Sequence, residues 1–486
     1  MKYALGLLLL ISGCRTAGSG SGLDLVILGG RVMDPESGLD AVRNVGVKDG
    51  KVAVITPDPI SGGATVDARG LVVAPGFIDL HSHGDIASTA KDIENYARKA
   101  ADGVTSALEI EVGTSEVDQW YSAREGKSAV NFGVSIGHMR VRMQVMGDAP
   151  MYFPPSSSKA NSREATDEQI GEIARQIEKG LRRGAVAVGF GIQYTGAASR
   201  IEIVEAFRAA SKFGASCHVH LRHFGAKEPT NSTMALEEVI ASAAITGAPL
   251  HVLHIHSTSM RITPRNLSLI ADARGRGLDV TTEAYPYTFG MTDLSSGVFD
   301  EGWRDGLEID YESLQWAATG ERLTPDTFAK YRKEGGLVAI HSIPEPAIKA
   351  ALAHPLVLIA SDGLIDNGKG HPRNAGSYAR FLGRYVREEK VVPLMEGLRK
   401  IALMPAQRLE RHAPAFKNKG RVRVGADADL AIFDAAAVID RATFEDPLRA
   451  SEGIRHVIVN GASVVRDGRV LPGVTPGRGL RAPIRE

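Results

Sequence analysis

The chain has 486 residues, with 57 Lys and Arg against 57 Asp and Glu, so its formal net charge is zero. That length suits about three domains, or one large barrel with a smaller companion, and the balanced charge offers no field to draw nucleic acid or an anionic membrane surface. Hydrophobic residues at 43% and charged residues at 23% exclude long disorder and many membrane spans, and two cysteines exclude a disulfide scaffold.

Residues 1–13 set Lys2 before an apolar run from Tyr3 to Ile11, too short to cross a hydrocarbon core of roughly 30 Å. This segment reads as a signal peptide. Ser12 and Gly13 stand directly before Cys14, as in a bacterial lipobox. The expectation is export to the bacterial cell envelope or periplasm, with a lipid anchor on Cys14 as the only tie to a membrane. Residues 14–22, with TAGSGSG, have the composition of a flexible tether. Only Cys217 then remains, so no intramolecular disulfide is expected.

Residues 23–73 contain LVILGGRVMD, NVGVKDGKVAVI and the start of ATVDARGLVVAPG, short β-rich runs closed by Gly, Asp or Pro. They predict a small antiparallel unit. Residues 415–486 show the same pattern in GRVRVGADADLAIFD and IRHVIVNGASVVRDGRV, so the two chain ends are expected to build one β-sandwich. Between them, residues 74–414 alternate short apolar strands with stretches of helical spacing such as EQIGEIARQIEKGLRRG. The strands are GFIDLHSH, GVTSALEIE, NFGVSIGH, GAVAVGFG, ASCHVHLR, PLHVLHIH, LDVTTEAYPY and LVLIASDG. Eight of them is the count of a (β/α)8 barrel, whose active site lies at the C-terminal strand ends. The stretch from Met291 to Lys333 is less regular and reads as a loop over that site.

Eight of the fourteen histidines fall in three runs: His81 and His83; His218, His220 and His223; His251, His254 and His256. On a strand, residues two apart face one side, so His81 points with His83, His218 with His220, and His254 with His256. Each pair ends an apolar run, where a barrel strand delivers side chains to the rim. Imidazoles converging from three strand ends suit a divalent transition metal. Asp362 ends the eighth strand, placed to move protons, or to cap the next segment as a turn Asp. Glu109 and Glu111 share one face of the second strand, and burying both calls for a cation or hydrogen bonds.

The string VVAPGFIDLHSH resembles the first-strand signature of the amidohydrolase superfamily. GHMRVRMQVMG, GAVAVGFGIQY, HLRHFG, EAYPYTFG, HPRNAGSYARFLGRYVRE, MPAQRLE and the TFEDP stretch resemble the D-aminoacylase (N-acyl-D-amino-acid deacylase) family more narrowly. The resemblance implies a metal-dependent hydrolase on a (β/α)8 barrel flanked by a β-sandwich. It carries one or two Zn2+, and the metal ligands implied are His81, His83, His220 and His254, with Asp362 as acid and base. The strand-four lysine that bridges two metals in many amidohydrolases is missing from GAVAVGFGIQY. A cysteine ends strand two in the D-aminoacylases. Here LEIEVG offers Glu111 nearest that position, with Glu109 as competitor, and an oxygen bridge would also suit Mn2+ or Co2+. His256 replaces a lysine that helps hold the substrate carboxylate, and Met291 replaces a serine. Tyr194 and Tyr285 match substrate-contacting tyrosines, Arg222 and Arg373 are cationic candidates for a substrate carboxylate, and His138 is as readily structural as catalytic. His218, His223 and His251 have no ligand counterpart and default to supporting roles. The expected substrate is an N-acyl-amino acid of D configuration, hydrolysed at its linear amide. A dipeptide or D-peptide, a cyclic amide of the dihydroorotase or hydantoinase kind, and a non-catalytic scaffold lipoprotein are the alternatives.

Overall fold

The computed structural model describes residues 22–486. The signal segment, Cys14 and all of the tether but Gly22 lie outside the described residues.

Both chain ends meet in one sheet of nine strands. Five come from the N-terminal part, beginning with Leu25–Asp34 and ending with Val72–Pro75, and four from the C-terminal part, between Leu430 and Val470. The halves join where Leu430–Phe433 pairs antiparallel with Val72–Pro75. The unit is not purely antiparallel, because Leu25–Asp34 also pairs parallel with Ala64–Asp67 and with Val72–Pro75. In its antiparallel pairing with Leu39–Lys48 this strand shifts register between Ile27 and Gly30, where it passes from one parallel partner to the other, and Gly29 there takes φ +69°, a value that side-chain-bearing residues avoid. Leu25, Ile27, Val45, Val66, Val73, Leu430 and Ile458 fill the core of this sheet.

The eight expected barrel strands form a second sheet, all parallel and in chain order, from Phe77–Asp79 through Val104–Thr114, Asn131–Gly137, Val188–Gly191, Cys217–His220, Leu250–Val252 and Val280–Ala284 to Val357–Ile359. Their residues are almost wholly buried, as expected for strands covered by helices on one side and packed on the other. The helices follow their sequence cues. Residues Asp167–Arg182 begin at a capping box of Thr166 and Gln169 and bury Ile170, Ile173, Ile177 and Leu181 along one stripe.

The first and last strands close the barrel by side chains and by their extensions. Asp79 accepts from the Ser361 amide at 3.0 Å, from Ser361 Oγ at 2.6 Å and from Lys99 Nζ at 2.9 Å, all buried. Beyond this seam, Ser82–Asp85 pairs parallel with Gly363–Asp366, and the Asp362 amide donates to the His81 carbonyl at 2.7 Å. Closure therefore brings the first and eighth strand ends together at the site.

Two regions depart from the sequence reading. Residues after Tyr285 fold as a subdomain rather than a loop, with Gly290–Asp293, Leu337–Ile340 and Leu314–Trp316 in an antiparallel sheet. Leu294, Phe299, Leu314, Phe328 and Val338 give it a core of its own. Its strands are only three or four residues long, too short for alternation to register. The end of the chain leaves the nine-stranded sheet and returns to the barrel, where Leu480 bonds Phe132 and packs near Leu108 and Ile110.

Lys99→Met leaves Asp79 buried and uncompensated, so it should destabilise the fold by about 3–5 kcal/mol. Calorimetry measures this, and adding Asp79→Asn should recover part of the loss.

Candidate metal centre and active site

His81 follows the first barrel strand and His83 lies on its extension. Glu109 and Glu111 lie on the second strand, His220 ends the fifth, His254 follows the sixth and Asp362 follows the eighth. All of these side chains are buried and converge at the C-terminal rim. Ligand-capable atoms of His81, His83, Glu111 and Asp362 form one group and those of Glu111, His220 and His254 a second, each within 4.8 Å. Glu111 belongs to both. Its Oε2 lies 2.6 Å from His81 Nε2 and 3.4 Å from His83 Nε2, and its Oε1 lies 2.9 Å from His220 Nδ1. Glu109 sits behind His83 instead, 3.1 Å from Nδ1, where it also accepts from the Tyr152 hydroxyl. Strand alternation turns both glutamates inward, and their depth along the strand separates them.

The arrangement fits cations. His81 Nδ1 is 2.5 Å from Glu283 and His83 Nδ1 is 3.1 Å from Glu109, so each outer nitrogen carries its proton toward a carboxylate. The inner nitrogens, 3.1 Å apart, then point lone pairs at each other, at Glu111 Oε2 and at Asp362 Oδ1. Electron pairs facing one another in a buried site need a positive charge between them. On the other side of Glu111, His220 Nδ1 and His254 Nε2 face each other at 3.1 Å in the same way. Four carboxylates, Glu109, Glu111, Glu283 and Asp362, meet one guanidinium, that of Arg373.

The electrostatics agree. Burial opposes ionisation of Asp362, but the Arg373 guanidinium and then His81 hold its carboxyl well below the usual range. Burial opposes it for Glu111 as well, and His220 leads the groups that keep it ionised. Burial alone would lower His81, yet Asp362 and Glu283 raise it to about 10, so a proton takes up the positive charge that the cluster demands until a metal ion displaces it from Nε2. Burial and then His220 push His254 down to about 3, leaving it a neutral ligand. His254 and Asp362 also have positive φ, 29° and 52°, backbone conformations that cost energy in non-glycine residues and concentrate at functional sites.

The cavity over the cluster is lined by His83, Glu111, His220, His254 and Asp362, by the hydroxyls of Tyr194, Tyr285, Ser257, Thr292 and Ser342, and by apolar side chains. Phe153 and Phe224 come from barrel loops, and Met291, Val298, Leu307, Ile340 and Ile343 from the subdomain after strand seven. Tyr194 donates to or accepts from Thr292 Oγ1 at 2.9 Å and stacks on Phe153. Arg373 bonds Asp362 Oδ2 at 2.9 Å and its carbonyl, and lies over the Tyr285 ring at 4.3 Å.

Other candidates sit elsewhere. Arg222 is committed to Glu238 at 2.6 and 2.9 Å and to the Gly196 carbonyl, and it does not line the cavity. His256 does not point with His254, because the chain leaves the extended conformation at His254 and His256 enters a short helix, Ile255–Ser259. It is buried against the Tyr285 ring, 4.3 Å between centroids, with both ring nitrogens unpartnered. His138 bonds Glu202 at 2.7 Å, away from the cavity. Sequence reasoning missed Glu283, Tyr152 and Ser257, which hold His81, His83 and His254 by their outer nitrogens. A glutamate inside the apolar run LDVTTEAYPY was the available signal for Glu283.

An amidohydrolase family model matches residues 64–133 and 146–465. An N-acyl-D-glutamate deacylase of Alcaligenes xylosoxydans xylosoxydans is 30% identical over 499 residues, covering 94% of this chain and 96% of the relative. A D-aminoacylase of the same organism is 28% identical over 502 residues, covering 94% and 97%. A crystal structure of N-acyl-D-glutamate deacylase from Bordetella bronchiseptica, complexed with zinc and a phosphonate inhibitor that mimics the tetrahedral intermediate, superposes with a TM-score of 0.80 at 26% identity, covering 95% of this chain and all of that one.

Glu111→Gln should lower bound metal far more than Glu109→Gln, measured by plasma emission on proteins purified with zinc. The reverse order would make Glu109 the shared carboxylate. With ligand-capable side chains converging from five strands, the matched family model and full-length likeness to the deacylases, this chain belongs to the amidohydrolase family as a metal-dependent, D-aminoacylase-like enzyme.

Proposed function

We propose that the chain deacylates N-acyl-D-amino acids, releasing a carboxylate and a free amino acid, with zinc as its cofactor. The observation that carries this reading is Glu111, common to two groups of ligands beside Asp362 on the floor of one cavity. Relatives named as deacylases of N-acyl-D-glutamate and D-amino acids support the linear amide and its D configuration.

His81, His83, Glu111 and Asp362 would hold one ion and Glu111, His220 and His254 a second. Such an ion supplies Lewis acidity toward the amide carbonyl and a water, and the oxygen ligand at Glu111 also suits Mn2+ or Co2+. Asp362 takes the water's proton as oxygen bonds to the amide carbon, then delivers it to nitrogen as the C–N bond breaks. Arg373 secures Oδ2 of Asp362 and leaves Oδ1 facing His81 and His83. Arg373 does not line the cavity, but its Nη1 is buried without a partner against the ring of Tyr285, which does, so its charge is the one we assign to the substrate's α-carboxylate. Among the described residues, the cavity lining itself carries no Lys or Arg and seven apolar side chains, so a second, side-chain carboxylate would be buried without compensation. This supports apolar side chains in preference to glutamate or aspartate.

From Lys2, the apolar run and the small residues before Cys14 we also infer export and a lipid anchor. Cys14→Ser should move the protein from the membrane fraction to the soluble envelope fraction, and an unchanged distribution would remove the anchor from this account.

Asp362→Asn should lower kcat by about 10²–10⁴-fold, in steady-state assays on zinc-loaded protein whose circular dichroism matches wild type. Full turnover by that variant would assign the proton transfers elsewhere. Across N-acetyl-D-leucine, -methionine, -glutamate and -aspartate, the apolar pair should lead in kcat/KM by on the order of 10²-fold. Equal or better use of the acidic pair would contradict the apolar reading of the wall.

A further inference from the structure

The geometry points to Glu283 as a positioning residue that fixes the tautomer and orientation of His81 through a polar chain crossing the barrel interior. It rests on the metal-centre reading above.

Glu283 and Thr281 lie two apart on the seventh strand, Val280–Ala284, and so share its inward face. Barrel interiors are ordinarily filled with branched apolar side chains. Here a carboxylate, 1% exposed, stands between two buried imidazoles. Glu283 Oε1 is 2.5 Å from His81 Nδ1, and Oε2 is 3.0 Å from His251 Nε2. His251 Nδ1 is 2.7 Å from Thr281 Oγ1, and Thr281 Oγ1 is 3.2 Å from Arg408 Nη1. Arg408 pairs in turn with Asp279 at 2.9 and 3.1 Å, at the N-terminal end of the strand and the face opposite the active site.

Donor and acceptor roles along this chain have one consistent solution. A guanidinium only donates and an ionised carboxylate only accepts, so Thr281 Oγ1 accepts from Arg408, Glu283 Oε2 accepts from His251 Nε2, and the Thr281 O–H donates to the lone pair left on His251 Nδ1. His251 therefore carries its proton on Nε2 and donates it to Glu283 Oε2. Oε1 is left to accept from His81 Nδ1–H, which puts the His81 lone pair on Nε2, the atom 2.6 Å from Glu111 and 3.1 Å from His83 Nε2. A carboxylate satisfies two N–H donors, whereas a carboxamide at the same place would turn its NH2 on one of them. Either His251 must then change tautomer against Thr281, or the His81 proton moves onto Nε2, the ligand atom. Partners of this kind set the orientation and basicity of a metal-binding imidazole.

Glu283→Gln tests this, with zinc affinity read by chelator competition and the visible spectrum read on the Co2+-loaded protein. The expected result is zinc held about 10–100-fold more weakly and an altered Co2+ absorption band, with the circular dichroism and melting temperature of the metal-free protein as in wild type. Wild-type affinity and an unchanged Co2+ spectrum would overturn the inference. Should Glu283→Gln not fold, Thr281→Val carries the test. It removes the hydroxyl that sets His251 without touching Glu283, and it should weaken zinc in the same direction, whereas loss of melting temperature with unaltered zinc affinity would reduce the chain to packing. A wild-type protein that takes up neither zinc nor cobalt would instead defeat the metal-centre reading itself.

Discussion

A carboxylate buried among imidazoles governs this molecule. Glu111, 2% exposed, can stay ionised only where positive charge reaches it from both sides, and the fold is arranged to make that possible. The seam between the first and eighth strands brings His81, His83 and Asp362 to one side, and the fifth and sixth strand ends bring His220 and His254 to the other. Glu109, Glu283 and Ser257 hold the outer ring nitrogens, so the inner ones present lone pairs. Compared with a thiolate, a carboxylate at the end of strand two is a harder donor with two oxygens, and those of Glu111 face the two groups of imidazoles.

The same closure links stability to chemistry. Asp79 and Ser361, bonded to each other and to Lys99, tie the strand ends two residues before His81 and one before Asp362. The Asp362 amide is bonded to the His81 carbonyl, so both side chains spring from one hydrogen-bonded piece of backbone. Above them, the subdomain after strand seven roofs the cavity with Met291, Val298, Leu307 and Ile340. The buried cluster thus sits on barrel strand ends, and the apolar part of the cavity wall comes largely from the insertion after the seventh strand.

Much of this was legible in the sequence for physical reasons. Apolar runs of four to eight residues announce parallel strands buried on both faces, and histidines at their ends announce a rim. What escaped reading depends on depth and partners rather than on residue type. Glu109 and Glu111 share a face, and only their distance from His83 and His220 distinguishes a supporting carboxylate from a shared one. Arg222 and Arg373 have the same chemistry and each is paired, the first with Glu238 and the second with Asp362, so only the second lies beside the cluster, a difference no spacing rule exposes. Alternation sets His256 on the side of His254, but it ends where the backbone turns at φ +29°. The polar chain behind His81 was hidden because Thr281 and Glu283 sit in a strand that looks merely amphipathic.

The most direct test is anomalous diffraction at the zinc edge on crystals of the zinc-loaded protein. The account predicts zinc peaks on both sides of the Glu111 carboxylate, one beside His81 and His83 and one beside His220 and His254, with full occupancy in at least one. A map with no peak within bonding reach of Glu111, or with zinc held only by Glu109 and its neighbours, would contradict it.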